Sequence, residues 1–165
     1  AEYINQAPEN VKFIIAPHNI KPDQITDLQS KITKSTILFS EKENKDLSSY
    51  NVFIIDIVGI LTKIYSYGTI AYVGGGFGNP GIHNILEPAT FGMPIVIGPN
   101  YSNFAEAIAL VEIGGCIPIS TSSELKEIFD RLLNDKNFLE EKSEISRSFI
   151  QTNKGATETI IKLVV

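Results

Sequence analysis

Residues 71–89 read AYVGGGFGNPGIHNILEPA, and this stretch decides the fold class. An apolar run ending at Val73 continues directly into five glycines within eight residues, 74–81. Glycine accepts positive φ and lets a backbone approach a neighbour closely, so the loop is predicted to turn tightly at the end of a strand. Pro88 is tolerated only near the start of a helix, which predicts that a helix begins close to Asn84.

Apolar, β-branched runs of the same kind lie on both sides of this stretch. They predict six strands, at residues 11–16, 36–39, 52–55, 69–73, 94–97 and 116–119. Helix-like segments lie between and after them, at residues 21–32, 59–67, 104–111, 125–133, 138–149 and 156–163, with Asn103 and Thr121 as N-caps. Strands without polar alternation are typical of a parallel sheet covered on both faces. The sequence therefore predicts one doubly wound, Rossmann-like α/β domain over residues 1–165, with a six-stranded parallel sheet and helices on both faces.

The composition limits the class of function. The chain has 165 residues, a formal net charge of −5 and only two arginines, Arg131 and Arg147. Phosphate-backbone contacts need clustered cations, so no nucleic acid is expected as a partner. A single cysteine, Cys116, excludes an internal disulfide and a multi-cysteine zinc site. No apolar run approaches the roughly 20 residues that a membrane span needs, so we expect a soluble domain.

The glycine loop indicates a ligand site. Loops at the carboxyl ends of parallel strands bind ligands in doubly wound sheets, and a glycine loop that leads into a helix offers free N–H groups to an anion such as phosphate. The pattern is neither the nicotinamide G-x-G-x-x-G nor a Walker loop, since no Gly-Lys-Ser/Thr follows. A plain flexible loop is the alternative.

Polar residues after the glycine loop are candidates for contacting that ligand. Glu87 is either an acid favoured by the first turn of a helix or a carboxylate that accepts both hydroxyls of a ribose. Asn84 is either an N-cap or a ligand contact as well, and His83 alone would more often be structural. At the ends of other predicted strands, Pro17 with His18 and Asp56 are expected at the same sheet edge. His18 is either a loop histidine or a ligand contact, and Asp56 either caps the next helix or lines the cleft. Lys21 is either a surface lysine or a phosphate contact.

The order of these motifs resembles the carboxyl-terminal half of the bacterial Kdo transferases, which move 3-deoxy-D-manno-octulosonic acid (Kdo) from CMP-Kdo to a lipid A precursor. The likeness lies in DIVGIL at 56–61, GIHNILEPA at 81–89 and GMPIVIGP at 92–99. The element H-N-x-L-E-P, followed by P-x-x-x-G-P, is far more specific than a glycine count. Three family elements are altered: Gly-Gly-Ser is Gly-Gly-Gly at 74–76, Gly-Glu-Leu is Gly-Ile-Leu at 59–61, and the arginine usual after the histidine element is missing, with Lys21 as the nearest cation.

The resemblance implies the two-domain GT-B architecture, with this chain as the donor-binding half. The amino-terminal acceptor domain and the catalytic base are then expected outside this sequence, so no catalytic residue is assigned here and the isolated domain is expected to be inactive. The implied reaction is an inverting transfer that needs no metal or cofactor. The implied partners are CMP-Kdo, a lipid A precursor and the chain's own amino-terminal domain, at the cytoplasmic face of the bacterial inner membrane.

The resemblance also implies roles for single residues. Glu87 would hold the ribose hydroxyls, Gly75, Gly76 and Asn84 would lie by the phosphate, and the loop at 56–59 would border the cytosine. The expected donor-binding residues are Pro17, His18, Asp56, Gly59, Gly75, Gly76, His83, Asn84 and Glu87, with Lys21 as a possible phosphate contact.

Two other classes of function stay open. A UDP-sugar-dependent GT-B glycosyltransferase or a nucleotide-sugar epimerase would share the fold and the phosphate site, and would differ in the base pocket. A non-enzymatic doubly wound interaction module would bind no nucleotide.

Overall fold

The computed structural model describes residues 1–79, 81–155 and 160–163 of the chain. It divides into two compact units, Ala1–Ile64 and Tyr65–Val165, which are described in turn. Each unit contains one three-stranded parallel sheet. No described helix is both long enough and apolar enough to cross a membrane.

The first unit holds a sheet with the strand order β1-β3-β2. Its elements in chain order are α1 (Glu2–Gln6), β1 (Phe13–Ile15), α2 (Pro22–Ser30), β2 (Thr36–Leu38), β3 (Val52–Ile54) and α3 (Leu61–Ile64). Both Phe13 and Thr36 lie opposite Val52, so the central strand pairs in parallel on both sides. Val52 and Ile54 are fully buried and pack with Ile25 of α2, which gives this unit its apolar core.

The second unit holds a sheet with the strand order β4-β5-β6. Its elements are a 3₁₀ turn (Tyr65–Tyr67), β4 (Ala71–Val73), α4 (Leu86–Thr90), β5 (Ile95–Ile97), α5 (Ala105–Glu112), β6 (Cys116–Pro118), α6 (Ser122–Asn134) and α7 (Lys136–Asn153). All three residues of the central strand β5, namely Ile95, Val96 and Ile97, are fully buried.

Both faces of this second sheet are covered by helices. Ile95 and Ile97 belong to a core cluster that includes Ala89 of α4 and Leu110 of α5. Val96, which points to the opposite face, packs with Leu132 of α6. The expected arrangement of a buried parallel sheet between helices is therefore confirmed for this unit.

The predicted six-stranded sheet is wrong in one respect. All six strands form close to the predicted positions, but their ladders join them into two sheets of three. Burial of a strand on both faces shows that helices cover it, and says nothing of how many strands share its sheet. Each strand is three residues long and therefore shorter than the apolar run that predicted it, because the hydrogen bonds between strands end before the apolar residues do.

The predicted helices are mostly confirmed, with two corrections. Thr121 caps α6 as expected, since its hydroxyl accepts a hydrogen bond from the N–H of Glu124 at 3.1 Å. Asn103 does not cap α5: the helix begins after the extended residue Phe104 and has no side-chain cap. The segment 59–67 forms only the short α3 and the 3₁₀ turn, and the sequence did not predict α1. Of the last predicted helix, residues 156–159 lie outside the described residues, and 160–163 are helical.

Candidate functional site

The glycine loop after β4 is tightly packed. Gly75 and Gly81 have positive φ values of 91° and 80°, a conformation that side chains other than glycine rarely adopt. A β-carbon at Gly75 would lie 2.3 Å from the carbonyl oxygen of Gly81 and 2.6 Å from Cδ2 of His83. The loop thus folds back on itself and leaves no room for a side chain at Gly75.

The backbone of the same loop packs directly against the backbone of the loop after β5. A β-carbon at Gly76 would lie 2.8 Å from Cα of Gly98, and one at Gly98 would lie 2.5 Å from the carbonyl carbon of Gly76. The N–H of Asn100 donates to the carbonyl of Gly76 at 2.9 Å, and the Asn100 side chain donates to the carbonyl of Gly78 at 3.3 Å. These contacts argue against the alternative of a plain flexible loop.

His83 joins the glycine loop to the segment that follows. Its backbone N–H donates to the carbonyl of Gly74 at 3.0 Å, and its exposed ring packs over Gly75. The position of this histidine is therefore set by the loop that the sequence analysis assigned to a phosphate.

Asn84 and Glu87 are hydrogen-bonded to each other at the start of α4. The Asn84 side-chain oxygen accepts from the N–H of Leu86 at 2.9 Å, and its Nδ2 donates to Oε1 of Glu87 at 3.0 Å. Asn84 is exposed and Glu87 is half-buried. The predicted helix start near Asn84 is confirmed, but the expectation that Asn84 is the N-cap is wrong: Ile85 takes that position without a side-chain cap, and Asn84, one residue earlier, accepts from the N–H of Leu86.

The first turn of α4 offers little to an anion. The N–H of Leu86 is taken by Asn84, and Pro88 has no N–H at all. The helix is only five residues long, so its dipole is small. The carboxylate of Glu87 in its first turn already offsets the positive end of that dipole. The geometry at this helix start favours a hydrogen-bond acceptor site at Glu87 over the phosphate site that the sequence suggested.

Tyr65 is a neighbour of Glu87 that sequence reasoning did not assign to the site. Partial burial, and secondarily the charge of Glu87, raise the pKa of the Tyr65 phenol, so it stays a neutral hydrogen-bonding group at neutral pH. Its ring centroid lies 6.0 Å from that of Phe91, just after α4. No local spacing rule joins residues 65 and 87, because the fold brings them together through β4 and the loop.

In the first unit, Asp56 follows β3, and its carboxylate accepts two hydrogen bonds from Ser40. The N–H of Ser40 donates to one carboxylate oxygen at 2.9 Å, and its hydroxyl donates to the other. Burial acts to raise the pKa of Asp56, but these hydrogen bonds prevail and lower it. Asp56 therefore fastens the ends of β2 and β3 to each other.

The other predicted residues of the first unit lie on loops. Pro17 and His18 follow β1 as expected, with Pro17 half-buried and His18 exposed. Lys21 is exposed and directly precedes α2, where its side chain makes no cap. Gly59 has a φ of 87°, and a β-carbon there would meet nothing within 4 Å.

The predicted residues thus form two groups. Five lie in the second unit, where Gly75 packs against His83, Gly76 packs against Gly98, and Asn84 is hydrogen-bonded to Glu87. The other five lie in the first unit, namely Pro17, His18, Lys21, Asp56 and Gly59. Among the described residues, no group of three or more His, Cys, Asp or Glu side chains could hold a metal ion. The second unit therefore presents the carboxylate of Glu87, oriented by the amide of Asn84 and close to the phenol of Tyr65.

Comparison with known proteins gives several 3-deoxy-D-manno-octulosonic acid transferases as relatives, although no family model matches the chain. The 3-deoxy-D-manno-octulosonic acid transferase of Haemophilus influenzae is 29% identical over 159 residues, which is 94% of this chain and 37% of that protein. The enzyme of the same name from Aquifex aeolicus is 31% identical over 143 residues, 85% of this chain and 39% of that protein. The chain thus spans less than half the length of these two relatives.

A solved structure shares the fold. The C-terminal CMP-Kdo binding domain of WaaA from Acinetobacter baumannii superposes with a TM-score of 0.78 at 23% identity, over 91% of this chain and 78% of that one. This agreement supports the α/β assignment with parallel sheets and helices. The resemblance predicted from the sequence is therefore confirmed: over most of its length, this chain is similar to 3-deoxy-D-manno-octulosonic acid transferases.

Proposed function

We propose that this chain is the donor-binding half of a glycosyltransferase that transfers Kdo from CMP-Kdo to a lipid A precursor in lipopolysaccharide biosynthesis. The similarity to Kdo transferases along most of the chain supports this proposal. The observation that carries it is the carboxylate of Glu87, held by Asn84 directly after the packed glycine loop. A carboxylate fixed in this way supplies the acceptor oxygens that a ribose diol needs.

The residues predicted from the sequence remain the proposed contacts of the donor. Glu87 is assigned to the ribose hydroxyls. Gly75 and Gly76 are assigned to the region of the phosphate, with Lys21 as a possible cationic contact, and Asn84 is assigned to the same site beside Glu87. The remaining assigned contacts are Pro17, His18, Gly59 and His83. Since both carboxylate oxygens of Asp56 accept hydrogen bonds from Ser40, we assign it to holding its loop in place beside the base.

The full enzyme is proposed to have the GT-B architecture, with residues 1–165 as its donor-binding domain. In this proposal an amino-terminal domain supplies the acceptor site and the catalytic base, at the cytoplasmic face of the bacterial inner membrane. An acceptor hydroxyl attacks the anomeric carbon of Kdo, the bond to the CMP phosphate breaks, and CMP leaves with inversion at that carbon. Preorganised hydrogen-bond donors around the phosphate stabilise the charge that develops on it.

Calorimetric titration of CMP, UMP and UDP into the 165-residue chain tests the proposal. CMP is expected to bind saturably and more tightly than UMP or UDP, with a modest affinity because one domain provides only part of the contact area. Tighter binding of UDP would favour a UDP-sugar glycosyltransferase or an epimerase. No binding of any nucleotide would favour a non-enzymatic interaction module.

Transferase activity provides a second test on the same sample. With CMP-Kdo and a lipid A precursor, the chain alone is expected to transfer no Kdo, because the base is assigned to another domain. Transfer by this chain alone would contradict that assignment and leave the donor proposal standing.

A further inference from the structure

The side chain of Asn84 uses both ends of its amide. Its Oδ1 accepts a hydrogen bond from the backbone N–H of Leu86 at 2.9 Å, and its Nδ2 donates to Oε1 of Glu87 at 3.0 Å. A backbone N–H can only donate, so it requires the oxygen end of the amide. The start of α4 thereby determines that the end facing Glu87 is a donor.

This arrangement presents Glu87 in one conformation. A glutamate side chain has several rotatable bonds, and ordering them when a ligand arrives weakens binding. Here the order exists before the ligand binds, because Oε1 is already held by Asn84. Within the described residues Oε2 accepts no hydrogen bond, so it is available to a ligand hydroxyl.

A direct phosphate contact fits Asn84 less well. The carboxylate of Glu87 lies at hydrogen-bond distance from Nδ2, so a phosphate bound to that nitrogen would be placed beside a like charge. The oxygen end of the amide is an acceptor and is already occupied by Leu86.

We propose that Asn84 is a positioning residue for ribose recognition: it holds Oε1 of Glu87 so that Oε2 receives the 2′-hydroxyl of the ribose of the donor nucleotide. The inference rests on the proposed function and deepens it, since it makes the discrimination of ribose from deoxyribose depend on a residue that does not itself touch the sugar. Loss of the Nδ2 donor then acts on the sugar selectively, through Glu87.

The test compares CMP with 2′-deoxy-CMP by calorimetry on the 165-residue chain and its Asn84→Asp variant. Aspartate keeps an acceptor for the N–H of Leu86, so this hydrogen bond and the melting temperature without nucleotide are expected to stay close to wild type. It replaces the amide donor by a carboxylate that repels Glu87. We expect wild type to bind CMP about tenfold more tightly than 2′-deoxy-CMP, and the variant to bind CMP about as weakly as wild type binds 2′-deoxy-CMP, with its affinity for 2′-deoxy-CMP little changed.

Two further variants make the result interpretable. Asn134→Asp makes the same chemical change in α6, where the side-chain amide donates to the carbonyl of Asp130, and is expected to keep the wild-type ratio of the two affinities. Asn84→Ser keeps a neutral acceptor for Leu86 and replaces the Nδ2 amide donor by a shorter hydroxyl, so it gives a second measurement if the aspartate variant folds poorly.

The outcomes separate this inference from the function on which it rests. If wild type binds CMP and discriminates against 2′-deoxy-CMP, but the folded Asn84 variants keep that ratio, the positioning role is wrong and the proposed function stands. An equal loss of affinity for both nucleotides would mean a direct phosphate contact and would also overturn it. If wild type binds neither nucleotide, the proposed function fails and the inference fails with it.

Discussion

Gly76 and Gly98 show most clearly what single residues contribute to this fold. Neither glycine has a positive φ, so backbone conformation alone does not require glycine at these positions. Each is required because the other's backbone occupies the space of its β-carbon, at 2.8 Å and 2.5 Å. Backbone atoms on both sides cannot move aside as a flexible side chain would.

Gly76→Ala is therefore expected to destabilise the chain by about 1–3 kcal/mol, the usual range for overpacking a well-packed site. Urea denaturation measures this change. Gly74→Ala is the matched control, because a β-carbon there would meet nothing within 4 Å and the φ of Gly74 is not positive. Equal stabilities of the two variants would show that the loop around Gly76 relaxes freely.

Residue-level features could be predicted from the sequence only where they are local. The run of glycines predicted tight turns and close approaches, and the positive φ of Gly75 and Gly81 bears this out. What approaches the loop could not be predicted, because the partner Gly98 lies 22 positions after Gly76 and is brought there by β5. The same limit applies to Ser40 on Asp56, which depends on the pairing of β2 with β3.

At the scale of elements, α6 is the helix whose start is most fully specified. Thr121 accepts from the N–H of Glu124 at 3.1 Å, and Oε2 of Glu124 accepts from the N–H of Ser120 at 2.7 Å. The two side chains satisfy backbone donors that the helix itself cannot pair.

Thr121→Ala is expected to cost about 1 kcal/mol of stability, since it leaves one of these donors without its side-chain partner. The free energy of unfolding from urea titration measures the loss. Ser123→Ala, two residues further into the same first turn, should change stability by less than about 0.5 kcal/mol. A loss of similar size in both variants would mean that the cap contributes nothing specific.

The helices and strands could be predicted where the sequence signal for them lies within the element itself. The N-cap Thr121 is a local signal, and α6 begins directly after it as predicted. The Asn103 cap was wrong because Phe104 packs against the core and α5 begins only after it. The grouping of six strands into sheets of three is a property of pairing between strands, which no single run encodes.

For the whole molecule, the α/β class and the likeness to Kdo transferases could be inferred from the sequence, because the motifs between residues 56 and 104 follow one another in the family's order. The assignment of CMP-Kdo as the donor is a proposal, and the structural observation that carries it is the carboxylate of Glu87. Its geometry, fixed by Asn84 and close to Tyr65, could not be read from the H-N-x-L-E-P motif alone.

The most direct test of the account is the rise in melting temperature that CMP produces, measured for wild type and Glu87→Gln. Glutamine keeps the shape of the side chain but replaces one acceptor oxygen with a donor. A hydrogen bond to a charged group contributes about 1.5–3 kcal/mol, so CMP is expected to bind roughly tenfold or more weakly and the thermal shift to shrink accordingly. Glu106→Gln, the same change in the first turn of α5, is expected to keep the full shift. A CMP-induced shift in Glu87→Gln as large as that of wild type would contradict the assignment of Glu87 to the ribose, and with it the central claim.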